Sequence, residues 1–207
     1  MDGKIVLPGE VVFDSPQEAQ GTFVEDGKTF VSTLGLLREG KFIPLKGRYL
    51  PKRGDYVVGV VAEERFSGYS VDLNSPYEGS ISSRDTREEF EQGDVVSAQI
   101  IDVNEIHEAT LTEARKLYGG RLIEIEPVKV PRVIGRNASM LETIKEFTGS
   151  TVFVGKNGRV YLKGGDIPLA VMAILKICRE AHISGLTERV NEFLKSESQK
   201  KNGGLNE

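Results

Sequence analysis

The spacing of apolar and polar positions changes character twice along the chain. Over residues 1–53, short apolar runs alternate with turn residues: Ile5-Val6-Leu7 gives way to Pro8-Gly9, and Asp26-Gly27 separates Phe23-Val24 from Thr29-Phe30-Val31. Asp-Gly between two such runs predicts a hairpin, because both residues accept the positive φ of a two-residue turn. Leu34 to Leu37 and Phe42-Ile43 continue the pattern up to Pro44. The expected product is a small all-β domain whose apolar edges need cover from elsewhere. Pro51-Lys52-Arg53-Gly54 marks a boundary. Residues 54–118 then predict five short strands at Tyr56–Ala62, Tyr69–Leu73, Glu78–Ile81, Val95–Val103 and Ala109–Thr112, a number and spacing that suit an OB-type β-barrel.

Residues 119–195 switch to a mixed α+β pattern. Leu122–Val130 reads as a strand broken by Pro127. From Ser139 to Phe147 the apolar residues Met140, Ile144 and Phe147 fall on one helical face, and Ser139 with Glu142 forms a capping box that fixes the helix start. Thr148-Gly149 ends it. Thr151–Val154 and Arg159–Leu162 flank Lys156-Asn157-Gly158 as a hairpin, with positive φ expected at Asn157 and Gly158. A long helix from Asp166 to about His182 is apolar almost all round between 167 and 175, so burial on more than one side is expected. An amphipathic helix from Leu186 to about Lys195 carries Val190, Phe193 and Leu194. Residues 196–207 are polar and rich in Gly and Asn, the composition of a disordered tail.

Composition narrows the class. The 207 residues allow two or three small domains, and with 28% charged residues, 7% aromatics and no Trp each should be thinly packed. A lone cysteine, Cys178 in an apolar helix, builds neither a disulfide framework nor a metal site and reads as a small buried hydrophobe. No signal peptide is evident, and the longest uncharged apolar run, Ile167 to Leu175, is far short of a membrane span. A reducing, cytoplasmic setting is expected. The net charge of −4 conceals an asymmetry: residues 1–53 carry +1, residues 54–118 carry −9 and residues 119–195 carry +4. A polyanion is drawn to the third segment and repelled from much of the second. Contacts between such a polyanion and the barrel must then be local, through Arg65, Arg84 and Arg87, unless these arginines only decorate an acidic surface.

No catalytic constellation is present. His107 and His182 fall in different domains, as a loop and a helix-terminal side chain, and the run Asp85, Glu88, Glu89, Glu91 and Asp94 alternates with Arg84 and Arg87 as a solvated surface would. No metal, cofactor or enzymatic activity is expected. The segment Val133 to Met140 carries the binding chemistry instead. A short Gly135-Arg136-Asn137 loop opening a helix brings backbone N–H groups and a guanidinium to one point, which suits a phosphate chain.

Two resemblances sharpen this reading. Residues 54–118 resemble the S1 RNA-binding domain through Gly54-Asp55, Gly68, Val71-Asp72-Leu73, Glu78-Gly79 and Gly93-Asp94-Val95. That family often carries two aromatics on the outer face of its second strand. Alternation here places Val71 and Leu73 inward and Ser70 and Asp72 outward, leaving Phe66 in the turn and Tyr69 in the inward phase. Residues 119–195 resemble a KH domain whose G-x-x-G loop ends in Ala138. If that position is left-handed, Ala costs about 1–2 kcal/mol relative to Gly. The altered loop either keeps a reduced phosphate contact, through Arg132, Gly135, Arg136 and Asn137, or is purely structural.

Gly155-Lys156-Asn157-Gly158 inside such a domain, after an S1 barrel and a β domain with Leu7-Pro8-Gly9, resembles the KH-containing cap subunits of the archaeal exosome. The resemblance implies a non-catalytic subunit that forms a trimeric cap on a hexameric ring of RNase-PH-like subunits. The cap captures single-stranded, A-rich RNA and feeds its 3′ end inward for 3′→5′ degradation. The N-terminal domain would dock on the ring, and the RNA-contacting set would be Arg65, Phe66, Tyr69, Arg84, Arg87, Arg132, Gly135, Arg136, Asn137 and Lys156. A free-standing S1/KH transcription or translation factor is the alternative. The −9 balance further suggests that the barrel limits its own grip on RNA, so neutralising Asp72 and Glu78 should raise affinity.

Overall fold

In the computed structural model, residues 3–203 are described, apart from residues 18, 20, 182 and 184 and the side chains of residues 200–203. The sequence expectations for His182 and for residues 204–207 fall outside the described residues. The chain parts into two compact units, residues 1–48 and 49–207.

The first unit holds six short strands: β1 Lys4–Val6, β2 Val11–Phe13, β3 Thr22–Glu25, β4 Lys28–Val31, β5 Gly35–Arg38 and β6 Lys41–Pro44. They form two three-stranded sheets, ordered β1-β5-β6 and β2-β4-β3, with antiparallel neighbours throughout. Asp26 (φ 49°) and Gly27 (φ 72°) make the two-residue turn between β3 and β4 that the sequence signals. Val6 and Val31 are buried and Phe23 stacks on Phe30 at 5.5 Å, yet Ile5, Leu7, Phe23 and Val24 stay largely exposed. Sheets this small have too little interior to cover every apolar side chain they carry.

The second unit opens with the barrel: β7 Tyr56–Arg65, β8 Gly68–Asp72, β9 Glu78–Ser82, β10 Val95–Val103 and β11 Glu108–Lys116. These close in the order β10-β11-β9-β8-β7, with β9 and β11 parallel and the other neighbours antiparallel. Val57, Val61, Val71, Leu73, Ile81, Ile100 and Leu111 fill it. Tyr49 joins this core ahead of the first strand, its hydroxyl donating to Asp55 at 2.7 Å. Burial and that bond to a carboxylate push the Tyr49 phenol well above its ordinary pKa. Alternation holds at Val71 and Leu73, but Ser70 is buried rather than open to solvent. It stands on the outer side of the sheet, where the carboxylate of Glu78, accepting from its hydroxyl, covers it.

The remainder is a three-stranded antiparallel sheet, β12 Arg121–Glu124, β14 Arg159–Lys163 and β13 Thr151–Val154, packed with α1 Val130–Ile134, α2 Ser139–Thr148, α3 Ile167–Glu180 and α4 Leu186–Gly203. Four sequence expectations change here. The run Leu122–Val130 is strand only to Glu124; a 3₁₀ turn at Pro127–Lys129 leads into α1, because Pro fits the first turn of a helix, where its missing N–H has no partner to lose. Ser139 forms no capping box: it occupies the first helical position (φ −57°, ψ −40°) and no side chain caps α2. The long helix is narrower in its burial than its composition suggests, with Leu169, Ala173, Ile174 and Ile177 inside but Met172 and Leu175 half exposed. Finally, α4 continues past Lys195 to Gly203, so residues 196–203, expected in a disordered tail, are helical. Val190 and Leu194 anchor its first turns in the core, and a helix once nucleated extends through polar residues at little cost.

Candidate nucleic-acid interface

The sequence-predicted contact residues fall into three separate places. The first is one end of the barrel. The tight β7–β8 turn lies beside the segment that follows β9, joined by the Ser83 N–H donating to the Ser67 carbonyl at 3.0 Å. This brings Arg65, Phe66 and Arg84 to one rim, with Arg87 a few residues on. Phe66 is wholly exposed. Arg84 and Arg87 are exposed and form no ion pair among the described residues. Arg65 differs: its guanidinium donates to Glu63 at 3.3 Å and to Glu78 at 2.6 Å. Tyr69 is half-buried and packs edge-on against Phe90 at 5.2 Å, so its ring belongs to the barrel wall.

The second place is the loop between α1 and α2, with Arg136 and Asn137 exposed along it and Arg132 exposed on α1 just before it. Gly135 is required there: at φ 76° a Cβ would stand 2.7 Å from both the backbone nitrogen and the Cβ of Met140. Asn137 (φ 50°) and Ala138 (φ 62°) are both left-handed, so Ala138 bears the steric cost foreseen for it, about 1–2 kcal/mol. Because Ser139 does not cap α2, its hydroxyl does not occupy the first N–H groups of that helix.

The third place is the β13–β14 hairpin. Lys156 is exposed, and its backbone N–H donates to the Tyr56 carbonyl at 2.8 Å. Tyr56 begins β7 and Arg65 ends it, so at ~3.3 Å per residue roughly 30 Å of strand separates Lys156 from the Phe66 rim.

This hairpin does more than turn. Positive φ occurs at Gly158 (82°) but not at Asn157. Instead, Asn157 is fully buried against the barrel. Its side-chain amide donates to the carbonyls of Val58 (2.7 Å) and Leu73 (2.9 Å), and its oxygen accepts from the Val58 N–H (3.2 Å). The pairing of β7 with β8 starts only at Val60, so Val58 has no ladder partner on that side. One amide supplies what a strand would have supplied. Gly155 permits the approach, since a Cβ there would lie 2.7 Å from the Val58 nitrogen. Next to it Arg159, only 5% exposed, donates to the carbonyl and carboxylate of Asp72, both at 2.5 Å, and to Glu124 at 3.0 Å. Burial opposes the charge on Asp72, but the bonds from Arg159 and from the Asn74 N–H, with the Arg159 charge, outweigh it and hold the carboxyl below its ordinary pKa. Asn157, Arg159 and Asp72 were missed as a group by sequence reasoning; the only signal was an Asn-Gly turn, which local turn chemistry explains without burial.

The acidic segment between β9 and β10 is partly engaged. Asp94 pairs with Lys116, and Glu88 accepts from the Lys116 N–H at 2.8 Å. Among the described residues no group of three or more His, Cys, Asp or Glu side chains converges in a way that could hold a metal ion, and no helix is long and apolar enough to cross a membrane. His107, in the β10–β11 turn, stacks edge-on against Tyr77 at 4.7 Å.

No family model matches the chain. Relatives do. The chain is 37% identical to exosome complex component Rrp4 of Thermococcus kodakarensis, across 93% of this chain and 85% of that one. It is 39% identical to Rrp4 of Methanosarcina mazei, across 97% and 85%, and 40% identical to Rrp4 of Methanobrevibacter smithii, across 92% and 70%. Among solved structures, a protein assigned as an exosome complex RNA-binding protein superposes with a TM-score of 0.68 at 33% identity, covering 75% of this chain and 99% of the other. With such identity over nearly its whole length, and with an OB-like barrel clamped by a Gly-Lys-Asn-Gly turn, the chain belongs to the Rrp4 family of exosome complex components.

Proposed function

We propose that this protein is the non-catalytic RNA-binding cap subunit of an archaeal exosome. The observation that carries this reading is the match to exosome components along almost the entire chain, barrel and α+β unit included. Residues 1–53 form a ring-docking domain, residues 54–118 an S1 barrel and residues 119–195 a KH-type domain. Three copies sit on a hexameric ring of RNase-PH-like subunits in the cytoplasm, capture single-stranded, A-rich RNA and pass its 3′ end into the ring for 3′→5′ degradation.

The described side chains support each part. Ile5, Leu7, Phe23 and Val24 give the N-terminal sheets apolar surface to bury on a partner. Phe66 offers an aromatic face on which an unpaired base can stack, with Arg84 beside it and Arg87 a few residues on for phosphates. Arg132, Gly135, Arg136 and Asn137 supply a second phosphate contact, and Lys156 a cation at a third place. Tyr69 contributes by bracing the wall behind the rim.

The test is the decay of a 5′-labelled RNA with an oligo(A) tail by an RNase-PH-type ring, with and without this chain. Faster, more processive shortening in its presence is expected, with no shortening by the chain alone. Equal decay with and without it would overturn the reading and favour a free-standing S1/KH transcription or translation factor.

A further inference from the structure

The Phe66 rim carries one cation that is already occupied. Arg65 is flanked by two carboxylates from different strands: Glu63, two residues back on β7, and Glu78, at the start of β9. The arrangement is held from behind, because the same Glu78 oxygen that meets Arg65 also accepts from the Ser70 hydroxyl, on β8 between them. Ser70 is buried beneath this contact, so Glu78, though half exposed itself, has a partner on the sheet as well as Arg65. Two oxygens meeting one guanidinium is the pattern a phosphate group offers an arginine. Arg84, on the same rim, and Arg87, a few residues on, have no such partners among the described residues. On the adjoining flank a shallow groove is lined by Glu63, Glu64, Ser70 and Glu91, so this side of the rim is acidic.

We infer that Glu63 and Glu78 act as built-in substitutes for RNA phosphate, occupying Arg65 so that the barrel rim holds a passing strand by base stacking and by Arg84 and Arg87 but not by Arg65. The device limits affinity where a strand must slide, and it makes Arg65 a latent phosphate site. This inference rests on the reading of the barrel as an RNA-contacting domain. It differs from a general effect of acidic charge, because it assigns the restraint to one guanidinium and excludes Asp72, whose carboxylate is committed to Arg159.

The experiment is a double-mutant cycle read by fluorescence anisotropy, using the full chain and a 5′-labelled oligo(A) over a range of salt concentrations. Glu78→Gln should tighten binding roughly two- to fivefold, the scale of an exposed ion pair released. It should also steepen the salt dependence by ~0.7, the increment for one further phosphate contact on a single strand. Glu63→Gln, which leaves Ser70 untouched, should act in the same direction. In an Arg65→Met background neither change should tighten binding. Equal tightening with and without Arg65 would overturn the inference, since acidic repulsion alone then accounts for it, as would wild-type binding that neither Gln variant improves. If no variant binds oligo(A), the RNA reading of the barrel fails and this inference with it.

Discussion

Asn157 ties the β13–β14 hairpin to the barrel with a single side chain. It meets three backbone groups of the barrel, two on Val58 and one on Leu73, from a hairpin 99 and 84 positions away in sequence. Removing it leaves those groups buried without partners, at about 1 kcal/mol each. Asn157→Ala should therefore lower stability by roughly 3 kcal/mol in urea denaturation. Asn157→Asp should do comparable harm, because a carboxylate cannot donate to the carbonyls of Val58 and Leu73. A loss of only a few tenths would show that the amide is replaceable by water. Ala138 predicts the opposite sign. Relief of its left-handed strain, about 1–2 kcal/mol, exceeds the ~0.4–1 kcal/mol of unfolded-chain entropy that Gly adds, so Ala138→Gly should stabilise by roughly 0.5–1 kcal/mol on the same measurement. The strain at Ala138 was legible in the sequence because the loop's pattern calls for Gly there. The burial of Asn157 was not, since nothing local records what a turn will meet. Ser70 shows the intermediate case: its face followed from alternation, but its burial came from Glu78 on a neighbouring strand.

At the scale of elements, strands were easier to read than helices. The five barrel strands were visible because each is a short run rich in apolar and β-branched residues bounded by turn residues, even where, as in β7 and β10, three successive residues are buried. The start of the helical region was hidden, because Val130 and Val133 look like strand residues until Pro127 and Pro131 are seen to sit in helical first turns. The extent of α4 was hidden too, since composition alone does not decide whether a polar segment continues a helix already anchored at Val190 and Leu194.

The junction between barrel and α+β unit makes a prediction about acid. Asp72 has its pKa lowered in the fold, so its contribution is complete above the ordinary carboxylate pKa of ~4 and is lost as pH falls through its lower folded value. The midpoint of urea unfolding should fall on acidification below about pH 4. Asp72→Asn should flatten that fall. An unchanged acid profile in the variant would place the acid sensitivity elsewhere, with Asp94 and Glu180, whose pKa values are lowered as well, the next carboxylates to replace.

For the whole molecule, charge and aromatic placement divide the labour of RNA contact. The barrel segment carries −9 and the following segment +4, so under the proposed function long-range attraction of RNA is expected from the α+β unit. In the proposed function the barrel's part is short-range, through the exposed Phe66. Phe66→Ala should weaken binding of a labelled oligo(A) by about 1–3 kcal/mol, while leaving the salt slope unchanged, because stacking releases no counterions. A slope that changes with affinity would show that the ring acts by positioning its arginine neighbours.

The central claim, that this chain caps a degradative ring, is tested most directly by mass. Size-exclusion chromatography with light scattering, on a mixture of this protein and an RNase-PH-type hexamer, should give a stable complex of three copies per ring. Separate elution of the ring and an unassociated chain would contradict the account, even if that chain still bound RNA.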